Sequence, residues 1–150
     1  MPATGPFERG TDGPRVILVG VDGSPTSLRA AAYAGGLARR QRAKLVAVFV
    51  ATSATPMAGW VPGADQIALD AAAEVDAELR ELMVRAGELG IDAEYRFVRG
   101  EPVTELSRIA DELPADAVLV GASEQAGHRL IGSIAVRLVR VGRWPVTVVP

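Results

Sequence analysis

Two hydrophobic patterns alternate along this chain. At Val16–Val21, Leu45–Val50 and Ala117–Val120 the residues are apolar without a break. Such runs suit strands buried on both faces of a parallel sheet. Ala93–Val98 alternates instead, with Glu94 and Arg96 on one face, as in a less buried, edge-like strand. Val146–Val149 supplies a last short strand. Between the strands the spacing changes to three and four. Val75, Leu79, Leu82, Ala86 and Leu89 mark a long helix from about Asp65 to Leu89, with Gly90 placed to end it. Another helix runs from Pro25 to about Arg42. Ser24 is a good N-cap for it, and Pro25 fits the first helical position, where its missing N–H costs nothing. Its small residues (Ala30, Ala31, Ala32, Ala34, Gly35, Gly36) permit close packing on a sheet, although a glycine inside a helix costs about 1 kcal/mol relative to alanine. Gly100-Glu101-Pro102 opens a helix to about Glu112, and a fourth helix begins at Ser133. Residues 51–64, rich in Ser, Thr, Pro and Gly and holding Trp60, read as a loop.

The order β-α-β-α-β-α-β-α-β predicts an α/β domain: an open five-stranded parallel sheet, helices on both faces, right-handed crossovers. In such sheets ligands bind beyond the carboxyl ends of the strands, where the strand order reverses. If strands one and four are neighbours there, Asp22 and Gly121 meet, and the helices starting at Ser24 and Ser133 point their N-termini into one crevice. The segment from Gly121 to Ser133 is the most suggestive. A strand, a glycine-bearing loop and a helix N-terminus together make an anion site from backbone N–H groups and the helix dipole. The loop also exceeds the roughly two to six residues usual for such connections.

Composition narrows the chemistry. At 150 residues, 49% hydrophobic and 23% charged, the chain has room for one ordinary globular core. Met1 to Pro14 lacks the apolar stretch of a signal peptide and reads as a flexible tail ahead of a domain over 15–150. A net charge of −2 gives no basic field for nucleic acid. No cysteine and a single histidine exclude a disulfide framework, a thiolate metal site and a multi-histidine centre. No apolar run approaches the roughly 18 to 20 residues of a membrane span. The expected setting is cytoplasmic.

Val19-Gly-Val-Asp-Gly-Ser24, Arg99-Gly-Glu-Pro102, Ala115-Asp-Ala-Val-Leu-Val-Gly-Ala-Ser123, Gly132-Ser-Ile134 and the closing Trp144-Pro-Val-Thr-Val-Val149 span the domain in order. On these segments the chain from Pro14 to Pro150 resembles the universal stress protein family. The resemblance implies an adenine nucleotide alpha hydrolase-like fold with strand order 3-2-1-4-5 and a homodimer through the last strand. It also implies, in one branch, binding of ATP with magnesium. By that likeness Asp22 and Val50 hold the nucleoside, while Gly121, Gly132, Ser133 and the Ile134 amide serve the phosphates. Val21 and Ala122 beside them join the candidate site, Gly127 is the substitute close-approach glycine, and Arg129, with His128, is a loop cation able to face a phosphate. The binding branch carries G-x-x-G-x9-G-[S/T]. Gly121 and Gly132-Ser133 match it, but Glu124 stands at the second glycine and the interval to Gly132 is two residues short. A desolvated carboxylate repels a triphosphate. Two functions therefore stand side by side: an ATP-binding stress-response regulator, and a member that binds no ATP and serves an unknown protein partner.

Each candidate also has a plainer role. Asp22 can cap or buttress the helix at Ser24, Val50 can be a core valine, and Ser133 can be the N-cap of a simple turn. His128 can be a solvated loop residue, Arg129 a surface cation, and Trp60 a partly buried loop aromatic or a lid. Arg39, Arg40, Arg42 and Lys44 can complement the dipole of the first helix, at about 0.3 to 1 kcal/mol each. No Walker lysine and no G-x-G-x-x-G after the first strand are present. Asp22, Glu124 and His128 form no catalytic constellation, so the chain is not expected to be an enzyme.

Overall fold

Ile17, Leu18 and Val19 are wholly buried, as an apolar run threaded through the middle of a sheet must be. A computed structural model describes residues 13–52, 61–123 and 132–150. Its elements are β1 (Val16–Val21), α1 (Pro25–Gln41), β2 (Lys44–Ala51), α2 (Ala64–Glu88), β3 (Ala93–Arg99), α3 (Pro102–Glu112), β4 (Ala117–Gly121), α4 (Ser133–Val141) and β5 (Val146–Val149). The strands form one parallel sheet in the order β3-β2-β1-β4-β5. The order reverses between β1 and β4, which pair at Ile17 with Ala117 and Val19 with Leu119. The expected neighbours are neighbours.

Alternate residues of each strand feed two cores. Ile17, Val19, Leu45, Ala47 and Leu119 face Ala30, Ala34 and Ala38 of α1 and Leu79 of α2. Leu18, Val46, Val48, Val118 and Val120 face Val103, Leu106 and Ile109 of α3 and Ala135 and Leu138 of α4. Fully burying one such aliphatic side chain contributes about 1.5 to 3 kcal/mol, so the two layers dominate stability. The alanine face of α1 does what its sequence suggests: α1 runs unbroken through Gly35-Gly36, and Gly35 is buried.

Several boundaries shift by a residue. α1 stops at Gln41, because Arg42 adopts the left-handed conformation with φ 54° and closes the helix. β2, β3 and β4 each extend to include Ala51, Arg99 and Gly121. β3 is an edge strand, half-buried along its length under α2. Trp60, Glu124, Gly127, His128, Arg129 and residues 1–12 of the N-terminal tail lie outside the described residues. Among the described residues no helix is long and apolar enough to cross a membrane.

Candidate functional site

The ends of β1 and β4 diverge at the strand-order reversal and leave a cleft of about 620 Å³. Val21, Asp22, Val50, Gly121, Ala122, Gly132, Ser133 and Ile134 all line it. The sequence assigns these to one ligand, and the fold brings them to one cavity. Gly127 and Arg129, the remaining two, lie outside the described residues.

The floor on the α1 side is knit together locally. Asp22 Oδ1 accepts from the Ser24 N–H at 2.9 Å. Ser24 Oγ accepts from the Ser27 N–H at 3.3 Å, so Ser24 is the N-cap that its position suggests. Ser27 Oγ donates to the Ser24 carbonyl at 3.0 Å and accepts from the Asp22 N–H at 3.2 Å. Gly23 sits between them at φ 83°, a conformation that glycine adopts without strain. Desolvation at the cleft wall pushes the Asp22 pKa up, but hydrogen bonds from Ser24 and Ser27 outweigh it, and the net shift is downward. Asp22 is therefore a carboxylate at neutral pH. Its plain buttressing role is real, yet that role uses one carboxylate oxygen for Ser24. The residue is exposed at the cleft and can still accept from a ligand donor.

Two details differ from the expected site. The sequence suggests Gly121 as a glycine that lets a phosphate approach the backbone. What approaches it is α1: a Cβ at Gly121 would lie 2.5 Å from the Thr26 carbonyl carbon and 2.6 Å from the Ser27 nitrogen. Its smallness serves the seam between β4 and α1. Ala122 has both backbone groups engaged, its N–H with the Val149 carbonyl at 2.8 Å and its carbonyl with Thr26 Oγ1 at 2.7 Å. It offers the cleft a methyl group.

On the α4 side the N-cap is Gly132, and Ser133 is the first helical residue rather than the cap. Gly132 has φ −64° and ψ 161°, angles that any residue adopts, although a Cβ there would lie 3.2 Å from the Ser123 Cβ. Among the described residues no side chain caps α4, and its first turn carries no acidic residue. Among those residues its first N–H groups have no partner, at the positive end of the dipole. Gly132, Ser133 and Ile134 all line the cleft.

Residues missed by sequence reasoning complete the walls. Thr26 latches α1 to β4, Ala68, Ala71, Ala72 and Val75 bring in α2, and Pro102 and Leu106 bring in α3. The run of alanines in the first half of α2 was the available signal. Among the described residues Asp22 is the one carboxylate lining the cleft, and no group of three or more His, Cys, Asp or Glu could hold a metal ion. The arrangement can bind a molecule with an anionic end at α4 and hydrogen-bond donors at Asp22.

Comparison with known proteins agrees with this geometry. Residues 14–150 match the universal stress protein family. The chain belongs to that family. A universal stress protein of Methanocaldococcus jannaschii is 28% identical over 137 residues, covering 89% of this chain and 80% of its own length. The solved universal stress protein UspA from Lactobacillus plantarum shares the fold at a TM-score of 0.76 and 24% identity, with 90% of this chain and 97% of that one covered. A universal stress protein solved in complex with cAMP is 32% identical, with a TM-score of 0.67 and coverage of 92% and 98%. As a universal stress protein, the chain has the strand order that its resemblance implies and the switch-point cleft that its element order implies.

Proposed function

We propose that this universal stress protein binds an adenine nucleotide in the switch-point cleft and that occupancy of the cleft regulates its role in the stress response. The observation that carries the reading is the uncapped N-terminus of α4 opening onto the cavity that Asp22 also faces. Phosphate oxygens accept from the Ser133 and Ile134 N–H groups and the Ser133 hydroxyl. The Asp22 carboxylate repels phosphate and accepts from ribose hydroxyls or the exocyclic amine, so the nucleoside lies toward β1. Val21 and Val50 flank it with apolar surface. ATP with magnesium fits this donor set only if the metal is carried on the phosphates and water, because Asp22 is the one described carboxylate at hand. When bound, magnesium would neutralise phosphate charge. The relative crystallised with cAMP supports a nucleotide of this class.

The reading is one of binding, not turnover, since nothing beside Asp22 among the described cleft residues could act as a base. A homodimer through β5 completes it. β5 is an outer strand of the sheet, and Val136 and Val139 of the neighbouring α4 are exposed. Concentration-dependent sedimentation tests that assembly.

A second reading rests on Glu124 and the shortened interval to Gly132: a member that binds no triphosphate and acts through a protein partner. Calorimetric titration with Mg·ATP, AMP and cAMP separates the two. Binding of any of these to the wild type, lost in Ser133→Asp, supports the nucleotide reading. No heat at millimolar nucleotide sinks it and leaves the interaction module. Glu124→Gly with two residues inserted into the loop should then create affinity that the wild type lacks.

A further inference from the structure

A second cavity, of about 520 Å³, opens at the other end of the sheet, where β1 and β2 begin. Arg15, Arg40 and Arg42 line it together with Gly13, Pro14 and Gln41. No described carboxylate lines it. Arg80, Arg85, Arg96, Arg108, Arg137 and Arg143 each sit on a carboxylate, whereas the three cavity arginines, like Arg39, Arg99 and Arg140, have no ion-pair partner among the described residues. Asp116 lies close, but its Oδ2 accepts from the backbone N–H groups of Arg15 and Val16 at 2.8 and 2.9 Å. Its charge is directed at the backbone.

The backbone fixes where these side chains start. The Lys44 N–H donates to the Arg15 carbonyl at 2.8 Å, and the Ala43 N–H to the Ala38 carbonyl at 2.9 Å. Arg42 is the one described non-glycine residue with a positive φ, at 54°. That conformation crowds any Cβ, and glycine is the usual residue where a helix ends this way. An arginine stands where the backbone favours glycine. The helix dipole explains Arg39 and Arg40 in the last turn of α1. It explains neither Arg15, which is not on the helix, nor the conformation of Arg42.

We propose that Arg15, Arg40 and Arg42 form a binding site for a small multivalent phosphate anion of the pyrophosphate type. Guanidinium forks bind phosphate oxygens in pairs, and their charge persists at any physiological pH. Three cations lining one hollow match an anion carrying more than one charge better than they match a single carboxylate. A nucleic-acid backbone would need a longer basic track, and the net charge of −2 opposes it. The site is separate from the nucleotide cleft and does not depend on it.

The test uses the full chain with Ser133→Asp, whose added charge closes the cleft to anions. Inorganic pyrophosphate is titrated by calorimetry without magnesium at about 0.15 M ionic strength, where loose surface charge effects are screened. Saturable one-to-one binding is expected, weakened about tenfold or more by Arg40→Gln and by Arg42→Gly. Without anion, Arg42→Gly should raise Tm by roughly 2 to 4 °C, because it relieves the backbone while removing the ligand contact. Absence of saturable binding overturns the proposal, and so does affinity unchanged in either arginine variant. A fall in Tm for Arg42→Gly overturns the claim that this arginine is held against the preference of the backbone.

Discussion

The first turns of α1 and α4 reach the same cleft but treat their unsatisfied N–H groups in opposite ways. At α1, Ser24 caps the Ser27 N–H, Asp22 accepts from the Ser24 N–H, and Thr26 ties the turn to the Ala122 carbonyl on β4. At α4, Gly132 contributes no side chain, and no acid complements the dipole. One helix start is closed by its own residues, and the other is open. The difference separates structure from binding within one cavity. The α1 turn holds β1 and β4 at the spacing that makes the cleft, and the α4 turn presents donors to whatever enters it.

The contrast breaks most sharply at Gly121. Replacing it with alanine drives a methyl group into the Thr26 backbone and should cost about 1 to 3 kcal/mol or more, read by urea denaturation. Thr26→Val keeps the shape but strands the Ala122 carbonyl in a buried seam. A loss of about 1 to 3 kcal/mol is expected in the same assay. An unchanged midpoint for both variants would show that the α1 turn is not the structural side of the comparison.

Capping variants sharpen it further. Ser24→Ala should destabilise the protein by about 1 kcal/mol, because a working cap is removed. Gly132→Ser supplies such a cap, but its Cβ would lie 3.2 Å from the Ser123 Cβ and press on that neighbour, so the net stability change without ligand is expected to stay within about a few tenths of a kcal/mol. The same serine would occupy the N–H groups that an anion needs, so calorimetry should show weaker nucleotide binding without a loss of thermal stability. A serine there with no effect on affinity would move the binding donors elsewhere.

The smallest effect concerns how α4 is anchored. Arg137 of α4 donates to Glu101, the N-cap of α3, at 2.6 Å. That bond, with others from Thr104, outweighs desolvation and lowers the Glu101 pKa from its ordinary 4.5 to about 2. A carboxylate depressed on folding contributes stability above its unfolded pKa and loses it as pH falls through the folded value. Thermal melts should therefore weaken between pH 4.5 and about pH 2. Glu101→Gln should flatten that part of the profile, modestly, because the pair is solvent-exposed.

Much of this was legible in the residues. Unbroken apolar runs identify β1, β2 and β4 because a strand buried on both faces has no polar side to display. The alternation at Glu94 and Arg96 marked the edge position of β3 for the complementary reason. Asp22 and Ser133 could be placed in one crevice because strand order and helix starts are both written locally. The seam role of Gly121 could not be read, since its close neighbour, Thr26, is near only after β1 and β4 pair. Whether Ser133 or Gly132 caps α4 depends on backbone angles that neither residue dictates. Arg42 looked like a last-turn cation, and only its positive φ shows that it sits beyond the helix.

The central claim is that the open helix start, and not the closed one, receives the anion. Backbone amide chemical shifts during titration with AMP test it directly. The account predicts saturable shifts at Ser133 and Ile134, with the Ser27 amide, capped by Ser24, moving little. Shifts concentrated at Ser24 to Ser27, or none at Ser133 and Ile134, would contradict it.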